Sequence, residues 1–340
     1  MDALSDVLRA IRLTGAVFLD AELRAGWSYL TPPPKVIGEL HMPHAEHIIP
    51  YHLITEGRCV ARLVDSEPVE LESGDLIVFP HGDRHVLASA TPGDLQPIEV
   101  RGEDLHALLR PGEVAPLSKG SEGEATRLVC GYLACDRRLS EPILAGLPRM
   151  LRVSVRDSGI AAWVQTSVRF SVAESAAPRA GGTTVLAKLS ELLFVEAIRQ
   201  YIETLPPEHG GWLAGLRDRF VGRALALMHQ DPAHPWTVDE LSARIGLSRS
   251  ALAERFGHLL GQPPMQYLIR WRISLAAQQL LSGNRGVAQI AQEVGYESEA
   301  AFNRAFKREL GVPPATWRKT GGAATSGGAS SLLGPSPSAA

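Results

Sequence analysis

The 340-residue sequence predicts an α+β multidomain chain in two parts, a β-rich N-terminal part and an all-helical C-terminal part. Short apolar runs separated by turn residues fill residues 35–100 and predict a small barrel or jelly roll. Two similar pairs of short helices are predicted near the C-terminus, about fifty residues apart. A stretch rich in Pro and Gly follows Leu205 and predicts a linker between the two parts.

Composition restricts the class of protein. Hydrophobic residues make up 45% and charged residues 21%, which is typical of globular domains. No apolar run approaches the ~20 residues of a membrane span, and the N-terminus predicts an amphipathic helix, not a signal peptide. Three cysteines fit a reducing compartment better than a disulfide framework. We therefore expect a cytoplasmic protein without a membrane partner.

The second helix pair lies in residues 286–311. Ile290 belongs to the apolar face of a short helix, and Gly295 supplies the position where the chain reverses sharply. Ser298 offers an N-cap hydroxyl to the next helix, whose inward residues Phe302 and Phe306 are four apart. Two short helices joined by a tight glycine turn form a helix-turn-helix unit.

The first helix pair, in residues 237–261, repeats this layout. Gly246 makes the turn, Ser248 caps the second helix, and Phe256 faces inward. A stretch with helical apolar period, residues 262–282, joins the two pairs. Internal repetition of this kind is stronger evidence than either motif alone.

The two units and their connecting helix resemble the AraC/XylS class of bacterial transcription regulators over residues 220–319. The resemblance implies a cytoplasmic, non-enzymatic regulator that binds double-stranded promoter DNA and works with RNA polymerase. An activator is expected, and a repressor stays open as the alternative. The residues that carry the resemblance are Ile290, Ala291, Gly295, Tyr296, Ser298, Phe302, Arg304, Phe306, Lys307, Gly311, Pro313 and Pro314.

Charge is distributed unevenly along the chain, whose net charge is −3. Residues 217–320 hold 14 basic and 9 acidic residues, a balance of +5, and the remainder holds 20 basic and 28 acidic residues, a balance of −8. This asymmetry places the predicted polyanion-binding surface in the C-terminal part.

The inward residues of each second helix define an outward face, and its positions match those that read bases in the AraC/XylS class. The base-reading candidates are Ser250, Glu254, Glu299, Ala300 and Arg304. The candidates for phosphate contacts are Arg249, Arg255, Asn303, Lys307 and Arg308. For Glu254 a second interpretation stays open, in which it is a solvated carboxylate paired with Arg249 or Arg255.

A second resemblance lies in the β-rich part. Gly74, Pro80, Gly82 and His85 have the spacing of the second half of the cupin signature. The first half departs from the usual His-x-His pair, because the histidines there are His44, His47 and His52. Residues 15–110 therefore resemble the cupin-like β-barrel sensory domains found in many regulators of this class.

The resemblance implies a small-molecule effector in the cupin-like domain, and no cofactor is expected. Two alternatives stay open. His47, His52 and His85 are candidates for binding a divalent metal, since imidazole suits zinc, iron, copper and nickel. A metal-dependent cupin enzyme fused to a DNA-binding domain is the related alternative, which the incomplete ligand set disfavours. Cys59 and Cys130 in predicted strands are candidates for sensing an oxidant.

A strongly apolar helix is predicted at residues 184–205, and helices in this position pair two subunits in the family. We expect a homodimer through this segment, although part of its apolar stripe would equally cover the barrel. The stripe consists of Val185, Leu186, Leu189, Leu192, Leu193, Val195 and Ile198. Another helix is predicted at residues 160–174.

These expectations define the domains. Residues 1–205 form the cupin-like sensory and dimerisation domain, and residues 206–216 form a linker. Residues 217–320 form the DNA-binding domain, with helix-turn-helix units at about 237–258 and 287–310. The small, polar and glycine-rich tail at 321–340 is predicted to be disordered.

Overall fold

The computed structural model describes residues 3–11, 13–24, 26–41, 45–89, 96–108, 114–154, 156, 180–206 and 209–321. The chain divides into two compact units. The β-rich unit consists of Leu13–Asp136 and Leu147–Thr204, and the helical unit consists of Met1–Arg12, Arg137–Gly146 and Leu205–Ala340. No helix among the described residues is long and apolar enough to cross a membrane.

The first elements in chain order are α1 (Ala3–Ala10), β1 (Thr14–Arg24), β2 (Ser28–Leu30), α2 (Pro34–His41), β3 (His47–Glu56), β4 (Arg58–Leu63), β5 (Val69–Glu72), β6 (Asp75–Val78), β7 (His85–Ser89), β8 (Ile98–Glu99), α3 (Gly102–Leu108), β9 (Ala115–Lys119), β10 (Ala125–Cys135), α4 (Arg137–Leu144) and β11 (Leu151–Ser154). They are followed by α5 (Gly182–Thr204), α6 (Trp212–Arg217), α7 (Val221–Gln230), α8 (Val238–Ile245), α9 (Arg249–Leu260), α10 (Pro264–Ser282), α11 (Val287–Glu293), α12 (Glu299–Leu310) and α13 (Pro314–Lys319).

The strands form two sheets. The larger has the order β11-β6-β3-β10-β1-β9 and the smaller the order β5-β4-β7-β2-β8. Their facing apolar side chains form one core, which includes Ile54, Leu71, Ile77, Phe79 and Leu128. The predicted cupin-like β fold is therefore present, but in the described part of the chain the strands form two packed sheets and not one closed barrel.

Strand register decides which polar side chains can meet in this unit. The antiparallel pairing of β3 with β10 places His52 opposite Cys130, and the pairing of β3 with β6 places His52 opposite Ile77. In the other sheet, His85 begins β7 and lies opposite Leu63 of β4. His52 and His85 thus enter the core from different sheets.

Helix α5 covers the larger sheet and packs against β1, β10 and β11. Leu186, Leu193 and Ile198 are buried there, which accounts for three of the seven residues of the predicted apolar stripe. Val185 and Leu192 are 42% and 39% exposed. The half-buried remainder of the stripe is Leu189 and Val195.

Two short helices from the N-terminal half of the chain belong to the helical unit. Helix α1 packs against α7 and α10, and α4 packs against α6. Val7 and Ile11, on one face of the first helical segment, are buried, and the Gln278 side chain donates a hydrogen bond of 3.2 Å to the Arg9 carbonyl. The sequence analysis assigns both segments to the domain of residues 1–205. An amphipathic pattern shows that one face of a helix is covered, but it does not show which element covers it.

The boundary of the helical unit also differs from the predicted linker at residues 206–216. Helix α6 occupies part of this range, with Trp212 and Leu213 buried. The Trp212 indole N–H donates to the Tyr267 hydroxyl at 2.9 Å. Apolar burial and this hydrogen bond hold the segment despite its neighbouring Pro and Gly residues. The predictions for residues 160–174, for His44 and for the tail from 322 onward lie outside the described residues.

Candidate DNA-binding surface and ligand cavity

The first helix-turn-helix unit consists of α8 and α9. The Thr237 hydroxyl accepts a hydrogen bond of 3.1 Å from the Glu240 N–H and caps α8. Gly246 ends α8 with φ 78°, a left-handed conformation that favours glycine. The Ser248 hydroxyl then caps α9 by accepting from the Ala251 N–H at 3.2 Å. This is the helix-turn-helix geometry that the sequence predicts.

The second unit, α11 and α12, has the same local plan. Gly295 makes the turn with φ 88°, and the Ser298 hydroxyl accepts from the Ala301 N–H at 3.3 Å. Phe302 and Phe306 are fully buried, with ring centroids 5.5 Å apart. Their burial fixes the opposite side of α12 as its exposed face.

The two turns differ in their surroundings. A Cβ atom on Gly246 would have no neighbour within 4 Å. A Cβ atom on Gly295 would lie 2.8 Å from the Cα and carbonyl O of Ala233 and 3.0 Å from the Arg272 guanidinium carbon. Only glycine therefore allows the second turn to approach the loop before α8 this closely.

Arg272 of the connecting helix α10 joins the two units. Its guanidinium donates to the carbonyls of Pro232 at 2.6 Å, His234 at 2.8 Å and Gly295 at 3.2 Å. The first two carbonyls precede α8, and the third lies in the turn between α11 and α12. Burial lowers the pKa of this guanidinium from its ordinary value, and the three carbonyls replace the hydration that burial removes.

The predicted DNA-contacting side chains lie on the outer faces of α9 and α12. All five base-reading candidates, Ser250, Glu254, Glu299, Ala300 and Arg304, are exposed. Among the phosphate candidates Asn303 is half-buried, and the exposed ones are Arg249, Arg255, Lys307 and Arg308.

Several of these cations have carboxylate partners within the protein. Arg255 donates to Asp218 at 2.7 Å and 2.5 Å, and Arg249 donates to Asp239 at 3.3 Å. Both arginines therefore bond to carboxylates other than Glu254. Burial alone would raise the pKa of Asp218, but hydrogen bonds from Arg255 and from two backbone N–H groups lower it by more, so the net shift is downward.

The basic side chains of α12, the predicted recognition helix of the second unit, have fewer carboxylate partners than those of α9. Arg308 contacts Glu309 at 3.1 Å, whereas Arg304 and Lys307 form no ion pair with any described residue. Their positive charge is available at the surface.

The β-rich unit contains a cavity of about 560 Å³ between its sheets. Its lining consists of Leu19, Ala21, Leu23, Trp27, Tyr29, Thr31, Pro32, Ile37, Pro50, His52, His85, Leu87, Ile98, Glu99, Val100, Arg101, Asp104, Leu108, Leu117, Lys119, Leu128 and Cys130. The volume is within the range of sites that bind small molecules, ~300–1,000 Å³.

A hydrogen-bonded chain lies in the wall of this cavity. The Nε2 atoms of His52 and His85 are 2.7 Å apart, and His52 Nδ1 is 3.0 Å from the Cys130 sulfur. Since His85 Nδ1 lies 2.9 Å from the Asp83 carbonyl O, that nitrogen must be the donor. His85 Nε2 then accepts from His52, and His52 Nδ1 accepts from the Cys130 thiol. Both ring nitrogens of each histidine and the Cys130 thiol thereby have a hydrogen-bond partner while all three side chains are neutral.

Burial keeps both imidazoles neutral. It lowers the pKa of His85 to about 4 and that of His52 well below its ordinary value. The third predicted histidine, His47, bonds to the Pro80 carbonyl O at 2.7 Å. The described residues contain no group of three His, Cys, Asp or Glu side chains that could hold a metal ion. These histidines thus do not fit the ligand set of a metal-binding cupin.

Comparison with known proteins assigns the family. A cupin family model matches residues 2–203 and a helix-turn-helix domain model matches residues 241–320. A putative AraC-like transcription regulator of Streptomyces antibioticus is 33% identical over 327 residues, covering 94% of this chain and 99% of the relative. The chain belongs to the AraC-like transcription regulators. Another AraC-like regulator, from Streptomyces lividans, is 34% identical over 324 residues and covers 94% and 98% of the two chains.

The predicted family, the cupin-like N-terminal domain and the helix-turn-helix domain of this AraC-like regulator are thereby confirmed. The crystal structure of the DNA-binding domain of AdpA in complex with a target DNA is 33% identical, with a TM-score of 0.28, over 30% of this chain and 92% of that one. The relatives in the sequence comparison carry the names of transcription regulators.

Much of the cavity of this AraC-like regulator was not predicted from sequence. Trp27 and Tyr29, two residues apart, both line it, as do Leu19 of β1 and Leu117 of β9. Alternation along a strand identifies residues that share a face, but not the empty space between two sheets. Of the lining residues, only His52, His85 and Cys130 are candidates on chemical grounds, and the structure brings those three together, whereas the candidates His47 and Cys59 do not line the cavity.

The cysteines of this AraC-like regulator are in an environment that disfavours the thiolate. Cys59 and Cys130 are both buried. Burial raises the pKa of Cys59 to about 12 and raises that of Cys130 as well. The thiolate is the reactive form, and His52, which accepts from the Cys130 thiol, is itself kept neutral by burial, so this environment does not favour a reactive thiolate at either cysteine.

Proposed function

We propose that this regulator recognises its operator mainly through the second recognition helix, with Arg304 as the principal base-reading side chain. The observation that carries the proposal is that Arg304 is exposed opposite Phe302 and Phe306 and has no ion pair within the described chain. An arginine on the exposed face of such a helix can donate two hydrogen bonds to guanine O6 and N7 in the major groove. Ala300 lies one turn before it on the same face, and Glu299 begins the helix; both would contact neighbouring bases.

Lys307 lies nearly one turn beyond Arg304 and is likewise without an ion pair in the described chain. We assign it to phosphate, together with Arg308 and Asn303. Lysine is a flexible point charge that neutralises a phosphate without selecting a base. The two cations of one helix therefore have separable roles.

In the first unit, Ser250 and Glu254 would contact bases, and Glu254 would accept from a cytosine amino group. Arg249 and Arg255 would contact phosphate. Each would then exchange an intramolecular carboxylate for a phosphate, so that the first unit gains less electrostatic energy on binding than the second.

The test uses the full-length protein and an operator selected with it from random duplexes. Arg304→Ala should cost ~1–3 kcal/mol on that operator and relax the preference at one base pair. Lys307→Ala should weaken binding to all sequences alike and lower the slope of log affinity against log salt by about one. Binding is measured on the operator and its single-base variants at several salt concentrations.

Arg58→Ala serves as the control, since Arg58 is an exposed arginine of the β-rich unit and should affect neither quantity. If Arg304→Ala lowers affinity equally on every sequence, Arg304 does not read a base and the assignment of this face is wrong.

We propose further that the regulator is a homodimer through α5. Val185, Leu189 and Leu192 have the spacing i, i+4, i+7 and form an incompletely covered apolar stripe. Val185→Glu combined with Leu192→Glu should give monomers in analytical ultracentrifugation, and Val64→Glu, at another exposed apolar residue, should not. Leu193 is unsuitable for this test because it is buried against the sheet.

The same proposal gives the cavity the role of an effector site. A small molecule bound there would alter promoter binding, and the regulator would act as an activator together with RNA polymerase in the cytoplasm, where it reaches the chromosome. The cavity volume of about 560 Å³ and its largely apolar lining support this role. Measurement of operator affinity with and without a bound cavity ligand tests it.

A further inference from the structure

We infer that the cavity of the β-rich unit selects a neutral, largely apolar organic molecule and excludes anions, cations and polyhydroxylated compounds. This inference rests on the proposed effector site and adds the chemical class of the effector. Three features of the cavity carry it: its walls, the balance of charge around it, and the lining side chains Cys130, His52 and His85, which bond to one another.

The walls are mainly hydrocarbon. Leu19, Ala21 and Leu117 come from neighbouring positions of β1 and β9, and Leu128 comes from β10. Trp27 adds a large aromatic surface, and its ring lies 6.2 Å from that of Tyr29 at an interplanar angle of 24°. Burying apolar ligand surface against such walls is favourable in proportion to the area removed from water.

The charged lining residues are balanced in number, and Arg101, Asp104 and Glu99 form ion pairs, Glu99 with a residue outside the lining. Arg101 contacts Asp104 at 3.2 Å, and Glu99 contacts Arg84 at 2.5 Å. The pKa of Asp104 is lowered, first by hydrogen bonding to Arg101 and to a smaller extent by the charge of Lys119. The four charged lining residues comprise two of each sign, so a charged ligand would find no net complementary charge.

The buried polar atoms of the wall offer little to a polar ligand: among those described, only the Trp27 indole N–H is without a hydrogen-bond partner and could donate one bond. Cys130, His52 and His85 bond to one another and to the Asp83 carbonyl, so their donors are all used. Their imidazoles are neutral at pH 7, since burial lowers the pKa of both. A sugar or a carboxylate entering the cavity would lose several hydrogen bonds to water, of which these buried groups could replace only the one that the Trp27 N–H offers.

Two probes with one ring system test the inference. N-phenyl-1-naphthylamine is neutral, and 8-anilino-1-naphthalenesulfonate is its anionic sulfonate analogue. Titration of the full-length regulator should show one site per chain for the neutral probe by fluorescence. The sulfonate should bind at least tenfold more weakly, because its charge would have to leave water without a partner.

Leu117→Arg places a cation in the wall. Leu117 is half-buried on β9, which is the edge strand of its sheet, so the longer side chain has room to extend. This variant should weaken the neutral probe tenfold or more and reduce its advantage over the sulfonate. Val64→Arg, at a 62% exposed position outside the cavity lining, should leave both affinities unchanged. Leu108→Arg, at the end of α3, is the second cavity variant if circular dichroism shows that Leu117→Arg is unfolded.

The inference is overturned if the sulfonate binds as tightly as the neutral probe, if neither binds, or if Leu117→Arg and Val64→Arg behave alike. Operator affinity measured with each bound probe separates this result from the proposed function. Neutral binding without any change in operator affinity would support the ligand class and contradict the effector role. A response of operator affinity to the sulfonate alone would support the effector role and contradict the ligand class.

Discussion

The two helix-turn-helix units share one local plan but present different electrostatic surfaces. In each, a glycine makes the turn and a serine caps the recognition helix. The basic side chains of the first helix bond to Asp218 and Asp239, whereas Arg304 and Lys307 of the second form no ion pair with a described residue. Residues outside a motif thus decide how much of its charge is available to a ligand.

The units also differ in how firmly their turns are held. Gly246 faces open space, while Gly295 lies against Ala233 and Arg272. The first unit therefore needs glycine for its backbone conformation alone, and the second needs it for conformation and close packing. This difference predicts unequal responses to the same substitution.

The largest expected effect follows from replacing each turn glycine by alanine. Gly295→Ala should lower the free energy of unfolding by about 3 kcal/mol or more, since left-handed strain is added to overlap with the backbone of Ala233. Gly246→Ala should cost only the strain, about 1–2 kcal/mol. Urea unfolding monitored by circular dichroism measures both. Equal losses of unfolding free energy at the two positions would show that the closer packing around Gly295 does not affect stability.

Local features of these units were predictable from sequence because they depend on residues close together in the chain. Gly246 and Ser248 specify a turn and a cap without any distant partner. The bond between Arg255 and Asp218 was not predictable, since 37 residues separate the pair and only the packing of α9 near the start of α7 brings them together. The contact between His52 and His85 similarly depends on the registers of two sheets.

The cores beside the two helix-turn-helix units differ in how their stability responds to acid. His229, buried beside the first unit, bonds to the Tyr267 hydroxyl at 2.7 Å, and burial lowers its pKa to about 3. The buried rings of Phe302 and Phe306 in the second unit do not titrate. Below pH 6.5 the unfolded chain binds a proton at this histidine and the folded chain does not, so stability falls as pH decreases toward 3.

Replacing His229 tests this asymmetry. The wild type should lose up to about 1.4 kcal/mol of unfolding free energy per pH unit more than His229→Gln between pH 6 and 4. Glutamine can still bond to the Tyr267 hydroxyl but does not titrate. Chemical unfolding of both proteins across this range gives the slopes, and parallel curves would mean that His229 is not neutral in the folded protein.

The smallest expected effect concerns the availability of Arg255. Asp218→Asn keeps an acceptor for the backbone N–H groups of Phe220 and Val221 but removes the charge that holds Arg255. Affinity for nonspecific duplex DNA should rise by less than about 1 kcal/mol, with the salt slope increasing by at most one. Asp231→Asn removes an equal charge from the same helical unit and should give a smaller gain in affinity for nonspecific DNA. Identical gains would assign the effect to net charge, and the two recognition helices would then not differ in the way described.

The bonds of Arg272 to both sides of the connecting helix have a consequence for promoters. If the two recognition helices are held at one separation, the bases they contact must also keep a fixed interval. One base pair inserted between the two contacted segments would shift the second by about 3.4 Å along the duplex and about 34° around it. The DNA would have to bend or change twist to restore both contacts. A half-buried arginine would in this way limit which insertions and deletions a target promoter can tolerate during evolution.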